Sequence, residues 1–235
     1  ERLVKRMRAI AAQNPRYGYR FTWACLRREG WHINRKRVYR LWRREGLKVP
    51  RKQHKKRRLG ASENSCARKK PERKDQIWAW DFIHDRTASG GPLKWLTIID
   101  EFTRECLALK VGRSIKAEDV KDQLIWLFMV RGVPEHIRSD NGPEFIANSI
   151  RRWLGRAEVE TLYVEPGAPW ENGYAEAFHS RLRDELLNAE EFRDVREARA
   201  LADEWRRHYN EERPHSSLGY LTPAEFAEAR VPPGL

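Results

Sequence analysis

The chain has 235 residues, room for one or two domains, and 40% of them are hydrophobic, with ten Trp and eight Phe to fill a core. Its longest apolar patch, Leu124–Val130, falls far short of the ~18 residues that a membrane-spanning helix needs. The basic N-terminus is followed by no apolar stretch, so no secretory signal is read, and three scattered cysteines, Cys25, Cys66 and Cys106, make neither a zinc spacing nor a disulfide framework.

The net charge of +13 is unevenly spread. Residues 1–75 hold 26 Lys or Arg against 6 Asp or Glu, a net +20, whereas residues 76–235 hold 21 against 28, a net −7. So dense a positive segment repels itself unless a polyanion is near, and nucleic acid is the natural partner. The chain opens at Glu1, without Met, inside what reads as a helix, as a piece of a longer protein would.

In chain order, Phe21–Glu29 reads as a short helix ended by Gly30. Asn34 is a good N-cap for a second helix, Arg35–Glu45, ended by Gly46. Val38, Leu41 and Trp42 form one apolar stripe on that helix, and Arg35, Lys36, Arg37, Arg40, Arg43 and Arg44 cover its other faces. Two short helices about a tight turn suit a helix-turn-helix, whose second helix enters the major groove; a basic hairpin that only packs on its neighbour is the blander possibility. Arg16 and Arg20, flanking Gly18, are candidate phosphate contacts. Val49–Asp75 reads as a basic linker that tracks a DNA backbone.

Ile77–His84, Leu93–Asp100 and Glu105–Val111 read as an antiparallel meander. A helix over Ala117–Arg131 follows, with Val120, Leu124, Leu127 and Phe128 on one side. His136–Ser139 is a fourth strand, Pro143 starts a helix toward Leu154, and Val159–Val164 is a fifth strand. A long helix is expected over Glu171–Asn188. The tail from Arg193 reads as a helix with Val195, Leu201, Trp205 and Tyr209, then a Pro-rich loop and a short helix from Pro223. His215 has no ligand partner at useful spacing and reads as structural.

Three carboxylates carry the chemistry. Asp81 lies inside the run Ile77-Trp78-Ala79-Trp80-Asp81-Phe82-Ile83, which holds no Lys or Arg, and a buried carboxylate needs a partner or a metal. Asp140 ends a strand in Ser139-Asp140-Asn141-Gly142-Pro143, and Glu176, with 35 residues between them, lies in a helix. Carboxylates are the hard oxygen ligands that Mg²⁺ takes, and a cluster can hold two ions ~3.5–4 Å apart for displacement at phosphorus. Local sequence leaves alternatives: Asp140 serves equally as an N-cap, and Glu176 as an ordinary surface residue. Asp85 and Asp100, at strand ends, read as solvated. His179, Ser180 and Arg183 share the helix face of Glu176.

Five words stand in order along nearly the whole chain, Arg16–Arg20, Ile33–Leu41, Ser139–Phe145, Glu171–Glu176 and Arg213–Tyr220. Together they resemble the insertion sequence three family of bacterial transposases, the second-reading-frame protein with a DDE catalytic domain like that of retroviral integrases. The resemblance implies an α/β, ribonuclease-H-like core with a mixed five-stranded sheet, preceded by an α-helical helix-turn-helix domain. The expected organisation is a DNA-binding domain over 1–48, a linker over 49–75, the DDE domain over 76–190 and a helical tail over 191–235. Asp81, Asp140 and Glu176 are then the catalytic metal ligands, for two Mg²⁺ with Mn²⁺ as a substitute. Asn141, Glu144 and Asn172 are supports, and Arg183 contacts terminal phosphates.

The implied function is cleavage of element ends and joining of the 3′-OH to target DNA. The partners are double-stranded DNA carrying the terminal inverted repeats, and further copies of the chain on that DNA, in the bacterial cytoplasm and nucleoid with no membrane. The alternatives are a DNA-binding regulator or inactive transposase fragment, a nuclease that cuts without joining, and, more weakly, a ribonuclease.

Overall fold

The computed structural model describes residues 1–49, 69–139, 148–163 and 173–230. It falls into two compact units, Glu1–Ala67 and Arg68–Leu235. No helix among the described residues is long and apolar enough to cross a membrane.

The described residues of the first unit form three helices, α1 (Arg2–Gln13), α2 (Tyr19–Arg28) and α3 (Arg35–Arg44). Met7, Ile10, Leu26, Val38 and Trp42 interdigitate as its core. Asn34 caps α3 by accepting the Lys36 N–H at 2.8 Å. Both α2 and α3 end the same way. Gly30 and Gly46 take left-handed backbones, φ 84° and 65°, and the next residues reach back, Trp31 N–H to the Leu26 carbonyl and Leu47 N–H to the Trp42 carbonyl. This closing pattern satisfies the last carbonyls of each helix.

The second unit is built on a five-stranded sheet of order β3-β2-β1-β4-β5. Its strands are β1 (Ile77–Arg86), β2 (Pro92–Asp100), β3 (Cys106–Gly112), β4 (His136–Ser139) and β5 (Glu160–Tyr163). β1, β2 and β3 pair antiparallel, while β4 lies parallel to β1 and β5 parallel to β4. The sheet is therefore the mixed one expected, with β1 and β4 side by side. Its helices are α4 (Ala117–Arg131), α5 (Asn148–Arg156), α6 (Gly173–Leu182), α7 (Val195–Arg207) and α8 (Pro223–Glu228).

Strand alternation decides what each face carries. Trp78 and Trp80 point into a core shared with Val120, Leu124 and Leu127 of α4 and with Ile150 and Leu154 of α5. Ala79 and Ile83 point the other way, into a core shared with Ala175, Phe178 and Leu182 of α6 and with Ala198, Ala202 and Trp205 of α7. Asp81 is in phase with Ala79 and Ile83, so its side chain belongs to the α6 face. That phase is what brings it toward the helix bearing Glu176.

Two expectations need amending. The long helix over Glu171–Asn188 is regular only to Leu182; Arg183–Leu187 widen into a π-helical turn. Asp100 is not solvated but fully buried. Its carboxylate accepts the N–H groups of Phe102 (2.6 Å) and Thr103 (3.2 Å), closing the β2–β3 turn, and that of Asp75 at 2.7 Å. The segment from Lys69 is pinned over this end of the sheet: Arg138 donates to the Lys69 carbonyl, and Arg131 bridges Asp75 and Glu105.

Candidate active site

Asp81 stands in the middle of β1, opposite Thr97 of β2. It is half-buried. Its Oδ1 accepts the Phe82 N–H at 2.7 Å, and its Oδ2 lies 3.5 Å from His179 Nδ1. Thr97 Oγ1 donates to the Asp81 carbonyl at 3.0 Å and lies 2.9 Å from His179 Nε2. One hydroxyl and one imidazole thus connect β1, β2 and α6.

Glu176 sits in the first turn of α6, exposed, while Ala175, Phe178 and Leu182 bury the opposite side of the helix. His179 follows one turn later on the Glu176 face. Burial pushes its imidazole down to about 4, and the Arg183 guanidinium pushes it the same way. The imidazole beside Asp81 is therefore neutral. Arg183 is exposed at the start of the π-helical turn, close enough for its charge to reach His179.

Asp140, Asn141, Glu144 and Asn172 lie outside the described residues. Asp140 follows directly in sequence on Ser139, the buried last residue of β4. Among the described residues no three His, Cys, Asp or Glu side chains converge to hold a metal. What these residues bring together is Asp81 with His179, and Glu176 one helical turn away. The donors are hard carboxylate oxygens, the type Mg²⁺ and Mn²⁺ take, so the residues present fit such an ion as part of a set. Thr97 escaped the sequence reading, because a Thr within a β-strand signals only strand propensity.

In the first unit Arg35, Lys36, Arg37, Arg40 and Arg43 are all exposed on α3, while Val38 and Trp42 face the core. Arg43 lies over Tyr39 and Arg20 over Tyr19, with guanidinium carbons 5.9 and 5.8 Å from the ring centres. Arg16 is half-buried. An open hollow of about 600 Å³ lies beside the N-terminus of α3, lined by Trp23, Arg27, His32, Arg35 and Lys36 among others.

Comparison with known proteins finds the integrase core domain over residues 71–169, a second integrase core domain match over 157–223, and an HTH-like domain over 1–56. An uncharacterized 39.2 kDa protein of insertion element IS476 from Xanthomonas euvesicatoria is 38% identical over 96% of the chain and 64% of its own length. A 31.7 kDa protein of IS407 from Burkholderia multivorans is 37% identical over 97% of the chain and 81% of its own length. The transposase InsD of IS2 from Escherichia coli is 30% identical over 99% and 80%. The chain thus spans just under two thirds of the first relative and about four fifths of the other two.

Among solved structures, a simian T-cell lymphotropic virus intasome superposes with TM-score 0.60 at 15% identity, over 86% of this chain and 70% of that one. The HTLV-2 integrase catalytic core domain in complex with magnesium superposes with TM-score 0.54 at 14% identity, over 66% and 98%. At those identities the likeness is one of fold.

Proposed function

This chain belongs to the insertion sequence three family of DDE transposases, and from that premise we propose that Asp81, Asp140 and Glu176 form a metal-dependent site that nicks the ends of an insertion element and joins the freed 3′-OH to target DNA. The observation that carries the proposal is the phase of β1. It turns Asp81 to the face covered by the helix of Glu176, while β4, which leads straight into Asp140, lies beside β1.

The three carboxylates would hold the divalent ions, Mg²⁺ or in its place Mn²⁺. Such ions, when bound, supply stabilisation of the attacking and leaving oxygens of a phosphoryl transfer. The protein's share is positioning. His179 and Thr97 fix the Asp81 strand against the Glu176 helix, and the apolar walls of Ala79 and Phe178 keep that junction rigid. Arg183, on the Glu176 face, is suited to a DNA phosphate next to the reacting one. Asn141, Glu144 and Asn172 act as supports around the carboxylates.

The labour divides along the chain. Residues 1–48 recognise the terminal repeats, with α3 in the major groove and Arg35, Lys36, Arg37, Arg40 and Arg43 reaching DNA beside Arg16 and Arg20. Residues 49–75 track the backbone, residues 76–190 do the chemistry, and 191–235 brace it. Two ends must be held together for joining, so the working form is a homo-oligomer on DNA, in the bacterial nucleoid.

The test is an assay of labelled element ends with Mg²⁺, with the whole chain and with Asp81→Asn. Nicked and joined products that vanish in the variant are expected. Nicking without joining would reduce the function to a nuclease. Tight binding without nicking would leave a DNA-binding regulator or an inactive fragment.

A further inference from the structure

Helix α6 has a second polar feature, off the Glu176 face. Tyr174, Ala177, Phe178 and Arg181 line up at one-turn spacing and border a cavity of about 140 Å³. The cavity is closed on its other sides by Arg104, from the β2–β3 turn, and by His215 and Ser217, from the segment after α7. Nothing in the carboxylate site uses these groups.

Two guanidiniums converge on the cavity. Arg104 lies flat on the Tyr174 ring, 3.5 Å from its centre, and donates to the Glu101 carbonyl. Arg181 donates to the Ala177 carbonyl. Among the described residues neither has an acidic partner, in contrast to Arg213 close by, which is paired with Glu185. Burial, and after it the charges of Arg213, Arg181 and Arg104, hold the His215 imidazole down to about 3, so the ring is neutral. Among the described residues that line the cavity, Arg104 and Arg181 carry charge and none is acidic.

The backbone at Arg104 points the same way. Its φ is +66°, in a turn closed by the Arg104 N–H on the Asp100 carbonyl. That left-handed position is one that Gly or Asn occupies with least strain. An Arg is held there with its side chain laid on Tyr174, and strain of this kind is retained where the surroundings over-determine it.

We propose that this cavity is a second DNA-contact site, in which Arg104 and Arg181 take a backbone phosphate of a strand that passes α6. The inference rests on the transposase reading. The chemistry is that of any phosphate, and charge-assisted bonds from guanidinium to phosphate oxygen are the strong kind. The source is DNA, because the same helix carries the carboxylate proposed to act on it.

The experiment is binding of the whole chain to labelled duplex DNA across a salt series, for the unaltered protein, Arg104→Gly and Arg181→Gln. Each phosphate contact contributes about one to the slope of log K against log salt. Arg104→Gly and Arg181→Gln are each expected to lower the slope by about one. Arg104→Gly also relieves the left-handed backbone, so its melting temperature is expected to stay level or rise, which separates a lost contact from a lost fold. Unchanged slopes in both arginine variants overturn the proposal. So does stabilisation of the unaltered protein by inorganic phosphate that both variants abolish while their DNA slopes stay unchanged, because the cavity would then take the free ion alone. The readout is binding, so it stands apart from whether nicking is seen.

Discussion

Thr97 Oγ1 lies 2.9 Å from His179 Nε2 and 3.0 Å from the Asp81 carbonyl, so a single buried hydroxyl ties the helix of Glu176 to the strand of Asp81. Groups that orient metal-binding carboxylates without touching the metal are typically worth ~10–100-fold in affinity or activity. Thr97→Val keeps the shape and removes the bridge, and His179→Ala removes its other half. Each variant is expected to raise the Mg²⁺ concentration for half-maximal nicking about 10-fold. The double variant should be little worse than the poorer single one, since both break one connection. Additive losses, or unchanged Mg²⁺ dependence in a folded variant, would refute a bridging role.

Asp100 gives a pH prediction of definite sign. Burial pushes its carboxyl up from 3.8 to about 6, against the opposing pull of three backbone N–H groups. A folded value above the unfolded one means the group's contribution is fully present below the unfolded value and is lost as pH rises through the folded one. Stability from Asp100 therefore falls between about pH 4 and pH 6, by on the order of 3 kcal/mol at most. Asp100→Asn has no such titration and loses an acceptor for one backbone N–H. Its melting temperature should lie below that of the unaltered chain at pH 7, with the gap widening toward pH 4. A gap that narrows on acidification would contradict this assignment.

The two aspartates also mark where sequence was informative and where it was not. Asp81 was legible as the single charge inside the apolar run Ile77–Ile83. Its face was not, because both faces of that strand are apolar, and only the packing of Ala79 and Ile83 against α6 assigns it. Asp100 sits at a strand end, where an Asp ordinarily meets water. Its burial comes from Asp75, 25 residues earlier, folding over it, and no local pattern encodes so distant a contact. Thr97 was silent for the same reason, its partner lying 82 residues away. The π-helical turn over Arg183–Leu187 leaves no mark in the helical spacing of Glu176, His179 and Arg183.

The junction between that turn and the tail should be brittle. Arg213 is almost fully buried, and its Nη2 and Nε meet Glu185 at 2.6 and 2.8 Å. Removing one partner of a buried pair strands the other and is destabilising by ~3–5 kcal/mol. Arg213→Met is expected to lower the stability of the second unit by about that much in denaturant unfolding, whereas Arg213→Met with Glu185→Leu should recover most of it. A double variant as weak as the single one would mean that Arg213 acts through other contacts.

Helix α3 makes a claim that separates folding from recognition. Asn34 caps it, and replacing such a cap with Ala costs about 1 kcal/mol. Arg37 and Arg40 are exposed and face away from Val38 and Trp42, which hold the helix in its core. Asn34→Ala should therefore lower the melting temperature of the first unit while leaving the salt slope of DNA binding nearly unchanged. Arg37→Ala and Arg40→Ala should do the reverse. A residue that contacts only phosphate weakens binding to all duplexes alike and lowers the slope by about one. One that reads a base instead relaxes preference at a single position, by ~1–3 kcal/mol. Anisotropy titrations against element-end and scrambled duplexes distinguish the two. Loss of neither affinity nor preference in the double variant would remove α3 from the DNA interface and leave the basic hairpin as a packing element.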